Sequence, residues 1–359
     1  MTSKTSRNVL LTFLACSSLN ALQLPVLAQD LPAALAATSG FVFTANEFGN
    51  SISRIDLATG TVETISVPIS AHNVQVTSDG KLLLAVGAKA DHEEMAAGGA
   101  QEAMDMDSKG SMLVFRASDV SSGPITTIEV GMHPAHVVAD WEGKYAFVTN
   151  SGDNNVTVID INSGKVTGTI PTGAYPHGQR LSPSGRELYV ADVEDGSVSV
   201  LDPVGYTELA RIPVGSAPVQ VGFIPDGTRA YVSLRDENKV AVIDTSTRRV
   251  IASVKVGKGP IQVYATPDGS YVYVANQGTQ EDPGDTVSVI AVATNTEIAT
   301  VRTGRGAHGI AISDDGALVF VTNILGSTVS VIDAKTNTVL ADFAVGKGPN
   351  GVTYQPAEE

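Results

Sequence analysis

From about Phe41 onward the chain alternates apolar and polar positions in short runs broken by turn residues. Val198-Ser199-Val200-Leu201-Asp202 alternates with period two, and Val250-Ile251-Ala252-Ser253-Val254-Lys255-Val256 is rich in β-branched residues. Side chains of a strand point to opposite faces in turn, so such runs predict half-buried strands. Pro-Asp-Gly at 225–227 and 267–269 predicts tight hairpin turns, because glycine tolerates positive φ. Asp160, Asp202, Asp244 and Asp333 end alternating runs, where a short carboxylate can bond turn amides.

One strand pattern recurs: Phe43-Thr44-Ala45-Asn46, Leu84-Ala85-Val86-Gly87, Phe147-Val148-Thr149-Asn150, Tyr189-Val190-Ala191-Asp192, Tyr231-Val232-Ser233-Leu234, Tyr273-Val274-Ala275-Asn276 and Phe320-Val321-Thr322-Asn323. Their last residues are spaced 41, 63, 42, 42, 42 and 47 apart. A period near 42 with four strand signals per repeat is the size of a propeller blade, and the two longer gaps are one period plus an insertion. The first repeat begins at its second strand, and Gly351-Val352-Thr353-Tyr354 at the other end supplies the missing first strand. That pairing would close a ring and remove an open sheet edge. The expected fold is therefore all-β, a seven-bladed propeller of four-stranded antiparallel blades closed by the C-terminal strand.

Phe147-Val148-Thr149-Asn150 with Val156-Thr157-Val158-Ile159-Asp160, and Phe320-Val321-Thr322-Asn323 with Val329-Ser330-Val331-Ile332-Asp333, resemble the YVTN-repeat β-propeller family. The resemblance runs from about Thr38 to Gln355. It implies the propeller fold, and it includes envelope binding proteins, surface proteins and metallochaperone-like propellers. Gly87 and Leu234 depart from the Asn of the motif.

Ahead of the repeats, residues 1–28 read as an export signal. Lys4 and Arg7 precede an apolar run from Val9 to Ala15, and Val26-Leu27-Ala28 offers a small-residue cleavage site. The run is too short and interrupted to span a bilayer. The expected organisation is a signal at 1–28, a linker at 29–37 and one propeller at 38–359, with an insertion at 88–110. The expected location is periplasmic or secreted. A rival reading is lipid anchorage through Cys16, the only cysteine.

Composition narrows the partners. With 43% apolar residues the chain can build a large core, and disorder is excluded. A formal charge of −15 disfavours nucleic acid. One cysteine excludes a disulfide framework, a cysteine-rich zinc site and covalent haem c attachment. No nucleotide cofactor and no membrane span are expected, and the oligomeric state is expected to be monomeric.

Histidine placement carries the chemistry. Read in blade order, the slot just before the innermost strand holds Asn350, His72, His136, His177, Val219, Ile261 and His308. His133 lies beside this arc, and His92 falls in the insertion with Glu93 and three methionines, Met95, Met104 and Met106. Imidazole suits zinc, copper, iron and nickel, and thioether favours Cu(I). His72, His136 and His177, from three consecutive blades, are the expected first ligands of a zinc or copper ion. His308 comes next, with His92 and Glu93 as accessory ligands. The expected role is capture of a metal ion or its delivery to an envelope partner protein. The bland alternatives are a polar structural ring and a solvated acidic loop. The enzyme alternative is a lactonase-like hydrolase of a small substrate, with Arg180, Arg235 and Arg305 expected near the same face; a non-catalytic interaction scaffold is the third reading. No G-x-S-x-G nucleophile motif is present.

Overall fold

The computed structural model describes residues 39–90 and 109–357, together with Leu35. Among them, twenty-eight strands, β1 to β28 in chain order, form seven four-stranded antiparallel sheets. Six sheets use four consecutive strands, which makes each blade a local meander. The remaining blade, blade 1, joins β28 (Pro349–Pro356) to β1 (Gly40–Asn46), β2 (Ser51–Asp56) and β3 (Val62–Ser66). Its pairs run from Gly40↔Pro356 to Asn46↔Pro349, so the two ends of the described chain close the ring as the repeat pattern predicts.

The recurring motif is the core of each blade. Its leading residues Phe43, Tyr189, Tyr231, Tyr273 and Phe320 are fully buried between neighbouring sheets. Full burial of a side chain the size of Phe contributes about 1.5–3 kcal/mol. The buried tyrosines need a partner for the hydroxyl. Tyr231 donates to Asn295 Oδ1 at 2.7 Å and Tyr273 to Asn337 Oδ1 at 3.0 Å, each in the next blade. The motif's closing Asn braces the top of the blade. Asn46 Nδ2 donates to Ser51 and Ser53 Oγ at 3.2 and 2.9 Å, and Asn323 Nδ2 to Thr328 Oγ1 and Ser330 Oγ, both at 2.9 Å. The turns follow expectation: Gly227 and Gly269 have φ of 73° and 70°, and Asp244 Oδ1 accepts from Thr247 N at 2.8 Å.

The innermost strands line the central channel. They are β4 (Ile69–Val76), β8 (Pro134–Ala139), β12 (Pro176–Leu181), β16 (Pro218–Phe223), β20 (Pro260–Ala265), β24 (Ala307–Ile312) and β28. Each pairs with its second strand through a register shift at its upper end, between Pro134 and Val137 in β8 and between Pro176 and Gln179 in β12. One extra residue is accommodated there, which is a β-bulge.

Two expectations fall on other segments. In blade 2, β5 (Leu82–Lys89) and β6 (Lys109–Arg116) pair as far as Ala88↔Gly110. Residues 91–108 of the insertion, with His92 and Glu93, lie outside the described residues, as does the N-terminal segment read as an export signal. Among the described residues no helix is long and apolar enough to cross a membrane.

Candidate functional site

The bulges determine which side chains reach the channel mouth, and they alter one expectation. Pro134 pairs with Asn150 in β8 as Pro176 pairs with Asp192 in β12. The residue equivalent to His177 is therefore Ala135, and His136 sits one place further along its strand. Hydrogen bonds give the same register. His136 N donates to Thr149 Oγ1 at 3.0 Å, as Gln220 N does to Ser233 Oγ at 3.1 Å and Gly309 N to Thr322 Oγ1 at 2.7 Å. Thus His72, His177 and His308 share the slot, and His136 occupies the second bulge position, where other blades carry Asn73, Gly178, Gln220, Gln262, Gly309 and Gly351. Glycine is common there because the next blade is close: a Cβ on Gly309 would run into the backbone carbonyl of Asn350. The offset is present in the spacing: His72, His177 and His308 each precede the last residue of their repeat motif by 15 residues, and His136 by 14.

The bulge also allows the offset histidine to meet the others, since two residues of the bulged strand oppose one on its partner. His72, His136 and His177 each bring a ring nitrogen to a group lying within 4.8 Å of one another. Ring centroids are 5.8 Å apart for His72–His136, 5.2 Å for His72–His177 and 5.0 Å for His136–His177. His308 is buried in its slot but lies outside that trio.

Hydrogen-bond partners assign the tautomers. His72 Nδ1 lies 3.1 Å from Glu47 Oε1, and His177 Nδ1 lies 3.3 Å from Val219 O. Both oxygens are acceptors, so each Nδ1 carries the proton. The Nε2 atoms of His72 and His177 then face each other at 3.3 Å, lone pair to lone pair. Facing lone pairs repel, and a cation between the nitrogens would relieve that repulsion. A tetrahedral set of nitrogens about 2.05 Å from an ion has edges of about 3.3 Å, the separation found here.

The surroundings keep His136, His177 and His308 neutral. Burial, then the neighbouring histidines, hold His136 well below the ordinary imidazole range. Burial first, and then His72 and His308, lower His177 to about 3. Burial and His72 lower His308 to about 4. Neutral imidazole is the form that ligates a metal.

Glu47 escaped the sequence reading. It begins a short 3-10 turn after β1, and its Oε2 accepts from Asn350 Nδ2 at 2.8 Å. Burial would raise its pKa, but the charge and hydrogen bond of His72, together with Asn350, hold it down at about 2. A signal was available: the residue after the repeat motif is Glu47, Ala88, Ser151, Val193, Arg235, Gln277 or Ile324, acidic in blade 1 alone.

Two cavities meet at the trio. One of about 130 Å³ opens on the face of the blade connections and is lined by Glu47, Ser70, His72, His133, Tyr175 and His177. The other, about 240 Å³, descends the channel past His136, Asn73, Gln75, Gln179 and Gln262 to Arg180, which stacks on Tyr264 at 4.8 Å. Arg180 is thus grouped with the opposite mouth, beside the turns at Ser78 and Trp141, and not with the histidine face as the sequence reading expects. The strand carries it away: β12 enters at His177 and runs downward through Arg180.

Comparison with known proteins agrees with this architecture. Hydrazine synthase from Kuenenia stuttgartiensis matches at 18% identity with a TM-score of 0.67, over 80% of this chain and 90% of that one. A protein of unknown function from Desulfotomaculum acetoxidans matches at 16% identity with a TM-score of 0.69, over 89% of this chain and all of that one. At these identities the likeness is one of fold. No curated protein matches the chain. A family model described as lactonase, 7-bladed beta-propeller, matches residues 105–346, a span that includes His136, His177 and His308 but neither Glu47 nor His72. By that match over more than half its length, the chain belongs to the lactonase family of seven-bladed β-propellers.

Proposed function

We propose that this propeller binds a single metal ion, zinc or copper, at the channel mouth through His72, His136 and His177. The observation that carries the reading is the approach of the two Nε2 atoms to 3.3 Å, with His136 completing a three-nitrogen group. A ligating histidine characteristically gives its other ring N–H to a carboxylate or a carbonyl, and Glu47 and Val219 O occupy those places. Nitrogen ligands favour zinc. Copper is the second choice, on the methionines of the insertion. The biological role we propose is metal capture or delivery in the cell envelope, in keeping with the signal-like residues 1–28 and the YVTN-like repeats.

The test is a titration of chelator-stripped protein with Zn(II), and with Cu(I) under reducing conditions, against a competing indicator. One tight equivalent is expected, lost in the His72→Ala, His136→Ala, His177→Ala triple variant. Weak binding, equal in both proteins, would sink the reading.

The family match favours a second reading, hydrolysis of a small lactone at the same mouth. There His133 lines the smaller cavity, and its buried Nε2 has no hydrogen-bond partner among the described residues. Turnover on a panel of lactones that is lost on changing His133 or His177 would move the protein to this reading. No turnover across the panel counts against it.

A further inference from the structure

We infer that Glu47 is the positioning residue of the histidine site: it holds His72 in the tautomer whose Nε2 is free to take a ligand, and without it His72 and His177 hydrogen-bond to each other and close the site. The inference deepens the metal-binding reading and rests on it for its consequence, but not for its first test.

In its neutral form a histidine has one N–H, and His72 has two places to put it. At Nδ1 the proton meets Glu47 Oε1 at 3.1 Å. At Nε2 it would meet His177 Nε2 at 3.3 Å, which is a free acceptor because His177 gives its own proton to Val219 O. The two arrangements compete, and the carboxylate decides between them, since a hydrogen bond to a charged acceptor is roughly twice as strong as one between neutral groups. Asn350 supports both. Its Nδ2 donates to Glu47 Oε2 at 2.8 Å and lies 3.2 Å from His72 Nδ1, so it can serve that nitrogen as a donor once the proton has left. The site therefore has two arrangements, one with both Nε2 lone pairs open to a cation and one closed on itself. Glu47 also brings a buried negative charge to an otherwise neutral set of ligands, which offsets the cost of burying an ion. It comes from blade 1, beyond the segment matched by the family model.

The first test is 15N NMR of the imidazoles in metal-free protein. In the wild type His72 is expected with its proton on Nδ1. In Glu47→Leu, which keeps the volume and removes both acceptors, the proton is expected on Nε2. A wild-type His72 protonated on Nε2 overturns the inference, and that arm needs no variant. The second test is zinc titration. Glu47→Leu is expected to lose about 10–100-fold in zinc affinity while still binding one equivalent. Equal affinity in the two proteins overturns the inference and leaves the metal site standing. Absence of tight zinc binding in the wild type removes the metal reading, and the tautomer measurement then stands on its own.

Discussion

Thr149 shows how much of the site depends on single hydroxyls. Its Oγ1 accepts from His136 N at 3.0 Å and donates to His177 O at 2.7 Å, so one atom joins two histidine-bearing strands of different blades. Thr149→Val removes that atom at nearly constant volume and leaves a buried N–H and a buried carbonyl without it. Losing one partner of a buried hydrogen bond costs about 1–3 kcal/mol. The denaturant midpoint is expected to fall accordingly, with zinc affinity reduced because the spacing of His136 and His177 is no longer tied. A variant as stable as the wild type would show that the strands hold their spacing without this hydroxyl. The motif Phe-Val-Thr-Asn is legible in the sequence, but the Thr in it looks like an ordinary strand residue. Its partners lie 13 and 28 residues away and become visible only when the blades are assembled.

Individual blades serve as controls for one another. In blade 7, Asn323 Nδ2 donates to Ser330 Oγ at 2.9 Å, and Ser330 donates onward to Asp342 Oδ1 at 2.5 Å. In blade 4 the same relay reads Asp192, Ser199, Glu208, with Ser199 Oγ 2.8 Å from Asp192 Oδ2 and 3.0 Å from Glu208 Oε1. Ser199 has one proton and cannot give it to two carboxylates, so the fully buried Asp192 must supply a proton where Asn323 supplies an amide N–H. Burial raises Asp192 to about 7, with Asp195 adding to the effect, while the two serines and Arg211 oppose it. Glu208 is ion-paired with Arg211 at 2.8 Å. The folded carboxyl thus keeps its proton to a higher pH than the unfolded one, whose ordinary value is 3.8. This stability is fully present below pH 3.8 and is lost as the pH climbs to about 7. Asp192→Asn restores the amide of the other blades and removes the loss. Its thermal midpoint is expected to exceed that of the wild type at pH 8, by the equivalent of a few kcal/mol, and to approach it at pH 4. An equal shift at both pH values would argue against a retained proton.

At the scale of the molecule, the ring closes through β28, and the same strand supplies Asn350 to Glu47. A chain stopped at Gly348 would leave the edge of β1 unpaired and Glu47 without one of its two partners. An exposed strand edge is a template for association. The truncated protein is expected to elute as aggregate in size-exclusion chromatography, whereas a stable monomeric ring would show that six complete blades hold the seventh open without cost.

The repeat of about 42 residues, the seven motifs and the strand missing from one end but present at the other determined the fold from the sequence alone, because blades are local meanders and closure needs only complementary ends. Histidine placement in the sequence likewise pointed to one face of the ring. Only the tertiary structure decided which of those histidines meet. In blade 3 Ala135 takes the shared slot and His136 the next place, and the bulge at the head of the strand still turns that histidine toward His72 and His177, while Arg180 is carried to the far mouth. Glu47 belongs to the same class of fact: its contact with His72 spans 25 residues and its contact with Asn350 spans 303, distances over which sequence pattern conveys no register.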